Sequence, residues 1–116
     1  MPTTSPAKTT TSIRGPRSVL ELKRPPTAPG EMLLEEFLKP ANLTQSAAAA
    51  RMSIPLNRLN EIIRGRRAIT ADSAIRLGRL FKMSPEFWMG LQADWDLWHA
   101  QRASRQEALV TSSRRS

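Results

Sequence analysis

Two short helical patterns joined by a very short link lie between Thr44 and Gly65, and they constrain the fold more than any other feature of the sequence. The first pattern follows Thr44, a favourable N-cap, and reads QSAAAARM, which is dense in the best helix former. The second pattern begins at Pro55 and ends at Gly65, a residue suited to a left-handed stop. The small side chains at 47–50 would let the first helix approach the second closely.

The buried face of the second helix is predicted from its apolar spacing. Its members are Leu56, Leu59, Ile62 and Ile63.

Three further helical patterns surround this pair, and each has its own start or stop signal. One begins at Pro29 and stops at Pro40, because proline cannot continue a helix. Another is capped by Thr70, and the last begins with Ser84 followed by a proline and an acid. No segment alternates apolar and polar residues with a period of two. The sequence therefore predicts an all-α domain of five helices and no sheet.

The apolar spacing of the first of these helices predicts which side faces inward. That side contains Met32, Leu33, Leu34, Phe37 and Leu38.

The chain has 116 residues, which suits one small domain with tails. Residues 1–28 form a basic extension that we expect to be disordered, with local structure only around Val19–Leu22. The helical domain is expected over 29–103, and 104–116 is predicted to be a flexible basic C-terminal tail. No signal peptide or transmembrane segment is recognisable, so we expect a cytoplasmic protein without a membrane partner.

The residue inventory argues against an enzyme or a metalloprotein. There is no cysteine and there is one histidine, so neither a thiolate site nor a cysteine nucleophile can form. His99 has Asp96 three residues before it, a pair that we interpret as a surface hydrogen bond and not as a catalytic dyad. We expect no cofactor, no metal and no catalytic residue.

Charge is concentrated in one part of the predicted domain. From Arg51 to Lys82 there are eight Lys/Arg against Glu61 and Asp72, whereas the flanking helices are acidic. Taken alone, such a charge run is more often a solvated surface. Its coincidence with two tightly joined helices instead favours a helix-turn-helix that binds nucleic acid.

In a helix-turn-helix the second helix enters the major groove, and residues near its N-terminus contact base edges. Asn57, Arg58 and Asn60 are the exposed polar residues there, and arginine and asparagine bind guanine and adenine bidentately. The other candidates are assigned to phosphates, where they would supply affinity and register. They are Thr44, Gln45 and Ser46 at the start of the preceding helix, and Arg64, Arg66 and Arg67 after the second helix.

The segment LTQSAAAARMSIPLNRLNEIIRGRRAITADSAIRLGRLFKMSPEFWMGLQADWDL, with PGEMLLEEFLKP before it, resembles the HigA/VapI-type antitoxins. These form a branch of the Cro/C1-repressor-like (XRE) helix-turn-helix proteins. The resemblance implies a homodimer that binds a palindromic double-stranded DNA operator and represses its own operon. It also implies neutralisation of a HigB-like, mRNA-cleaving toxin, and it adds Pro55 and Leu56 to the base-contacting positions.

Two other functions stay open. One is a stand-alone helix-turn-helix repressor without a toxin, and the other is a module that binds a partner protein and contacts DNA weakly.

Two departures from the family pattern stand out. The usual turn glycine is Ser53 here, which either adopts a strained positive φ or caps the next helix. The basic N-terminal extension is long, and it is either a DNA-contacting arm or a tail without a role in binding.

The last helix contains all three tryptophans, which form one stripe with a leucine. Its members are Trp88, Leu91, Trp95 and Trp98. Core packing accounts for Phe87 and Leu91, and we expect the stripe, above all Trp95 and Trp98, to form the dimer interface.

Overall fold

The computed structural model describes residues 18–115, with side chains to residue 110, and all its regular elements are helical. A 3₁₀ turn at Val19–Glu21 precedes five helices. These are α1 (Pro29–Met32, continued as a π-helix over Leu33–Leu38), α2 (Gln45–Met52), α3 (Leu56–Ile63), α4 (Ala71–Phe81) and α5 (Pro85–Arg115). The predicted all-α architecture is confirmed, and no helix in the described range is long and apolar enough to cross a membrane.

The N-caps of α2, α4 and α5 are those predicted from the sequence. The Thr44 hydroxyl accepts the backbone N–H of Ala47 at 3.1 Å. Thr70 and Ser73 form a reciprocal capping box at the start of α4. The Ser84 hydroxyl accepts the N–H of Phe87 at 3.2 Å. Each cap satisfies an N–H that has no partner inside its own helix, which fixes where α2, α4 and α5 begin.

One apolar core holds the five helices together. Leu33 of α1, Leu59 of α3, Leu77 of α4 and Trp88 of α5 have no exposed surface. The two central alanines of α2, at 48 and 49, are also buried in this core, as expected for a helix that lies close to its neighbour. Because every helix contributes to the same core, the orientation of α3 is fixed by the packing of its buried side.

The second half of α1 forms a π-helix, which the sequence pattern does not predict. The N–H of Lys39 bonds to the carbonyl of Leu34, five residues earlier, at 3.0 Å. In an α-helix residues five apart lie on different sides, but this wider winding brings Leu33 and Leu38 to the same buried side. Leu34 and Phe37 are partly buried against the same core.

The C-terminal part of the chain differs from the expected tail. The sequence predicts a flexible tail over 104–116, and in the structure helix α5 continues past residue 104 to Arg115. The physical reason is local composition, because 91–115 contains neither proline nor glycine and is rich in Ala, Gln, Arg and Leu. Side chains at 102–110 are all exposed, so the last turns lie beyond the core.

The predicted N-terminal extension is ordered in its last part. Ser18 caps the turn Val19–Glu21 by accepting the N–H of Leu20 at 3.1 Å. The backbone carbonyl of Leu22 then accepts the indole N–H of Trp98 at 3.0 Å. Residues 18–22 therefore pack on α5, and this is the patch that the sequence marks as able to form local structure. The prediction of disorder for 1–17, and of an arm or idle tail there, falls outside the described residues.

Candidate nucleic-acid interface

The turn between α2 and α3 is closed by a residue in the left-handed region. Ser53 has φ 58° and ψ 44°, and its N–H bonds to carbonyls at the end of α2. Pro55 is the N-cap of α3, and its side chain makes no capping hydrogen bond. Of the two roles expected for Ser53, the strained turn is therefore correct and the cap of α3 is wrong. Gly65 closes the other end of α3 with φ 77°, as predicted.

A groove between the start of α2 and the start of α3 brings together three of the predicted base-contacting residues and three of the predicted phosphate-contacting residues. The amide Nδ2 of Asn60 donates to Oε1 of Gln45 at 3.2 Å and links the two helices across it. Asn57 is fully on the exposed side of α3. The groove is lined by Thr44, Gln45, Ser46, Leu56, Asn57 and Asn60.

Leu56 corrects one sequence-based expectation. It is predicted to join the buried stripe of α3, but it is 47% exposed at the first turn of the helix. The buried positions of α3 are instead Leu59 and Ile62, with Ile63 partly buried. An exposed Leu56 next to an exposed Pro55 is consistent with the base-contacting set, where an apolar side chain can contact a thymine methyl.

Arg58 lies in an ion-pair network that links α3 to α4. Its Nη2 donates to Oδ2 of Asp72 at 2.8 Å, and the same oxygen accepts Nε of Arg76 at 3.0 Å. Hydrogen bonds from Arg58 and then Arg76 lower the pKa of Asp72 below its usual value. The contact between Arg58 and Asp72 spans fourteen residues and gives no local sequence signal, although the i,i+4 spacing of Asp72 and Arg76 could have indicated their pair.

The three arginines after α3 are all exposed, but they are not equivalent. Arg67 donates from Nε and Nη2 to Oε1 of Glu61, at 2.9 and 2.7 Å. An exposed pair of this kind contributes little to stability, so a phosphate can compete for the guanidinium. Arg64 and Arg66 have no ion pair within the described residues.

Two of the three tryptophans of the stripe are buried within the chain. Trp88 has no exposed surface and packs against Phe37 in a tilted arrangement, with ring centroids 4.7 Å apart. Trp98 is 7% exposed, because the segment around Leu22 covers it. The expected interface role of these two tryptophans needs correction, since their rings are already covered by the chain itself. Phe87 and Leu91 pack against the core as expected, and Trp95 is half-buried.

His99 and Asp96 interact with different neighbours. The imidazole of His99 packs on Trp95 and Trp98, with ring centroids 4.2 and 5.0 Å away. Asp96 instead accepts a hydrogen bond from Nε2 of Gln92 at 3.0 Å. Among residues 18–115, no group of three or more acidic or histidine side chains is arranged to hold a metal ion.

The helix-turn-helix geometry agrees with a match to a known family. The family model described as HTH_3, helix-turn-helix, matches residues 34–88, which span α2, α3 and α4. The curated relatives include virulence-associated protein I of Dichelobacter nodosus, 42% identical over 78 residues, with 67% of this chain and 72% of that protein covered. The chain belongs to the XRE-type helix-turn-helix family, in the branch of the HigA antitoxins.

Two further comparisons concern HigA proteins themselves. Antitoxin HigA-1 of Vibrio cholerae is 38% identical over 86 residues, covering 74% of this chain and 81% of that one. The solved structure of Pseudomonas aeruginosa antitoxin HigA with the higBA promoter has a TM-score of 0.68 at 40% identity. The superposition covers 72% of this chain and 90% of the HigA chain. This family membership makes DNA binding and transcription regulation the function class of the chain.

Proposed function

We propose that this HigA-family protein binds a palindromic operator as a homodimer and represses its own operon. The observation that supports the proposal best is the groove between α2 and α3. There Asn57 and Asn60 lie beside the N-terminus of α2, so the residues that we assign to bases and those that we assign to phosphates line one groove. The relative from Pseudomonas aeruginosa, whose solved structure includes a promoter, supports DNA binding by a protein of this fold.

Within this proposal the residues divide into two roles. Asn57 and Arg58 read base edges, whereas Asn60 is held by Gln45 and contributes to the shape of the groove as well as to contacts. Phosphates are bound by the exposed Arg64 and Arg66, and by Arg67 once it leaves Glu61. On the other flank they are bound by the N–H groups and side chains at 44–46.

A dimer is needed because one short helix reads too few base pairs for selectivity. Two copies of α3 about 34 Å apart would match one turn of DNA. Since Trp88 and Trp98 are covered, the interface that we propose uses the part of α5 around Leu91 and Trp95. Leu91 and Trp95 lie four residues apart on one side of α5 and are both half-buried, so this side of the helix keeps some accessible apolar surface.

The second part of the proposal is that the protein neutralises a HigB-like toxin. Its support is the family branch, since one relative is named antitoxin HigA-1. A neighbouring gene that encodes a small basic ribonuclease would distinguish an antitoxin from a repressor without a toxin. The product of that gene should co-purify with this protein.

The decisive experiment changes the reading face of α3. In the double variant Asn57→Ala with Arg58→Ala, we expect preference for the operator over a scrambled duplex to disappear, because each bidentate contact contributes about 1–3 kcal/mol of discrimination. The measurement is the ratio of the two dissociation constants at one salt concentration, with circular dichroism as the check on folding. Retained preference in a folded variant would refute the base-reading assignment.

Arg66→Ala is the matched control for that experiment. Removal of a phosphate-binding side chain should weaken binding to both duplexes while the ratio of their dissociation constants stays the same. The slope of the logarithm of the binding constant against the logarithm of the salt concentration should decrease in magnitude by about 1 for each phosphate that is no longer neutralised. Arg105→Ala removes the same charge from an exposed position on α5 and should leave both affinity and slope unchanged.

A further inference from the structure

The arginine proposed to read bases is not a free side chain. Nη2 of Arg58 lies 2.8 Å from Oδ2 of Asp72, and the Arg58 side chain is 27% exposed. We propose that Asp72 is a positioning residue for DNA recognition, which fixes the guanidinium of Arg58 in the orientation that reads a base edge. This inference rests on the proposed function, because it assigns a specificity-determining residue outside α3 to the same surface.

Asp72 can act in this way because it is itself held from the other side. Its Oδ2 also accepts Nε of Arg76 at 3.0 Å, and Nη1 of Arg76 donates to the backbone carbonyl of Met52 at 2.7 Å. Met52 is the last residue of α2, next to the turn that leads to α3. The chain of hydrogen bonds therefore joins the end of α2, the first turns of α4 and the exposed side of α3. Arg58 is held relative to the whole helix-turn-helix and not only to its own helix.

The remaining donors of Arg58 are sufficient for base recognition. A guanidinium has five N–H donors, and the hydrogen bond to Asp72 uses Nη2. A guanine accepts two N–H bonds, at O6 and N7, so Arg58 can bind it while it stays on Asp72. The pair on the neighbouring surface is different, because Glu61 engages both Nε and Nη2 of Arg67. That arginine is held through two of its three nitrogens, so it has fewer N–H donors free for DNA than Arg58 has while it stays on Glu61.

A carboxylate on this surface also has an electrostatic consequence. Between Arg51 and Lys82, Asp72 is one of two acidic residues among eight basic ones, and its side chain is 54% exposed. An exposed negative charge next to a DNA-binding surface repels phosphates and weakens binding to every sequence. Asp72 therefore lowers general affinity, and the benefit that we assign to it is selectivity through an Arg58 that is ordered before DNA arrives.

The test is the isosteric variant Asp72→Asn, measured against the operator and a scrambled duplex of equal length. We expect the ratio of affinities to fall by about three- to tenfold, the size expected for releasing one long side chain. Affinity for the scrambled duplex should stay the same or rise, because a negative charge is removed. An unchanged or increased ratio would overturn the proposal.

A double-mutant cycle separates positioning from simple stabilisation. If Asp72 acts through Arg58, adding Asp72→Asn to Arg58→Ala should change the ratio no further, whereas a full additional decrease would overturn the proposal. Glu61→Gln is the matched control, since it neutralises the other carboxylate of the same surface beside Arg67. It should alter both affinities by the same factor, and a decrease in discrimination equal to that of Asp72→Asn would contradict a specific role of Asp72.

The same cycle distinguishes this inference from the proposed function. Failure of Arg58→Ala to lower the ratio would refute base reading by Arg58, and the positioning role would fall with it. A large effect of Arg58→Ala together with no effect of Asp72→Asn would refute the positioning role alone.

Discussion

At the scale of single residues, the turn of the helix-turn-helix contains a removable strain. Ser53 has φ 58°, a conformation that costs a non-glycine residue about 1 kcal/mol. We predict that Ser53→Gly raises the free energy of unfolding by up to about 1 kcal/mol, reduced by the greater entropy of glycine in the unfolded chain. Urea unfolding measures this change, and a rise in the melting temperature should accompany it.

Ala50→Gly in the same short helix is the control for Ser53. Ala50 is exposed and lies inside α2, so glycine there should destabilise the protein by about 1 kcal/mol. If the free energy of unfolding rises with Ser53→Gly and falls with Ala50→Gly, three residues away, the backbone conformation of Ser53 is the cause of the gain. If both variants lose stability, the strain argument is wrong.

At the scale of helices, α1 approaches the end of α3 so closely that only glycine fits. A Cβ on Gly30 would come into steric conflict with the backbone carbonyl oxygens of Ile62 and Ile63. Because backbone atoms cannot move aside cheaply, we predict that Gly30→Ala costs about 1–3 kcal/mol of stability. Chemical unfolding monitored by circular dichroism checks this prediction.

Gly90 provides the matched comparison within another helix. It lies in α5, and a Cβ there would meet no atom within 4 Å. Gly90→Ala should therefore stabilise the protein by about 0.5–1 kcal/mol through higher helix propensity. Equal effects of the two substitutions would mean that α1 and α3 are not packed as closely as described.

Some features of the helices can be predicted from the sequence and others cannot. The starts of α2, α4 and α5 are predictable because Thr44, Thr70 and Ser84 cap residues only three positions away. The π-helical part of α1 is not, since its winding is selected by which leucines the core accepts. The exposed last turns of α5 escape prediction because helix propensity alone, without an apolar stripe, gives no clear pattern.

The candidate site divides in the same way. The polar side of α3 follows from helical spacing, so Asn57 and Arg58 can be placed on that side from the sequence alone. The contact of Arg58 with Asp72 joins residues fourteen apart on different helices, and that of Trp98 with Leu22 joins residues seventy-six apart. Such pairs depend on how helices are packed, which no local pattern contains.

At the scale of the whole molecule, the segment at 18–22 is a strap that closes over the last helix. Trp98 is 7% exposed because it lies under this strap, and Cζ of Arg102 lies over its ring, 5.1 Å from the ring centroid. We predict that deleting residues 1–22 exposes the indole. Its emission should shift to longer wavelength and acrylamide quenching should increase. Stability should fall by about 1–2 kcal/mol, since one hydrogen bond contributes about 0.5–1.5 kcal/mol and apolar burial adds to it.

Deletion of residues 1–17 alone is the control, because it leaves the strap intact and should change neither the emission nor the stability. Trp98→Phe in both deletion backgrounds assigns the signal, since the spectral difference should then disappear while Trp88 and Trp95 remain. A spectral difference that persists without Trp98 would mean that the strap acts elsewhere on the domain. If the two deletions behave alike, the strap does not cover Trp98 in solution, and that indole returns to the candidates for the dimer interface on α5.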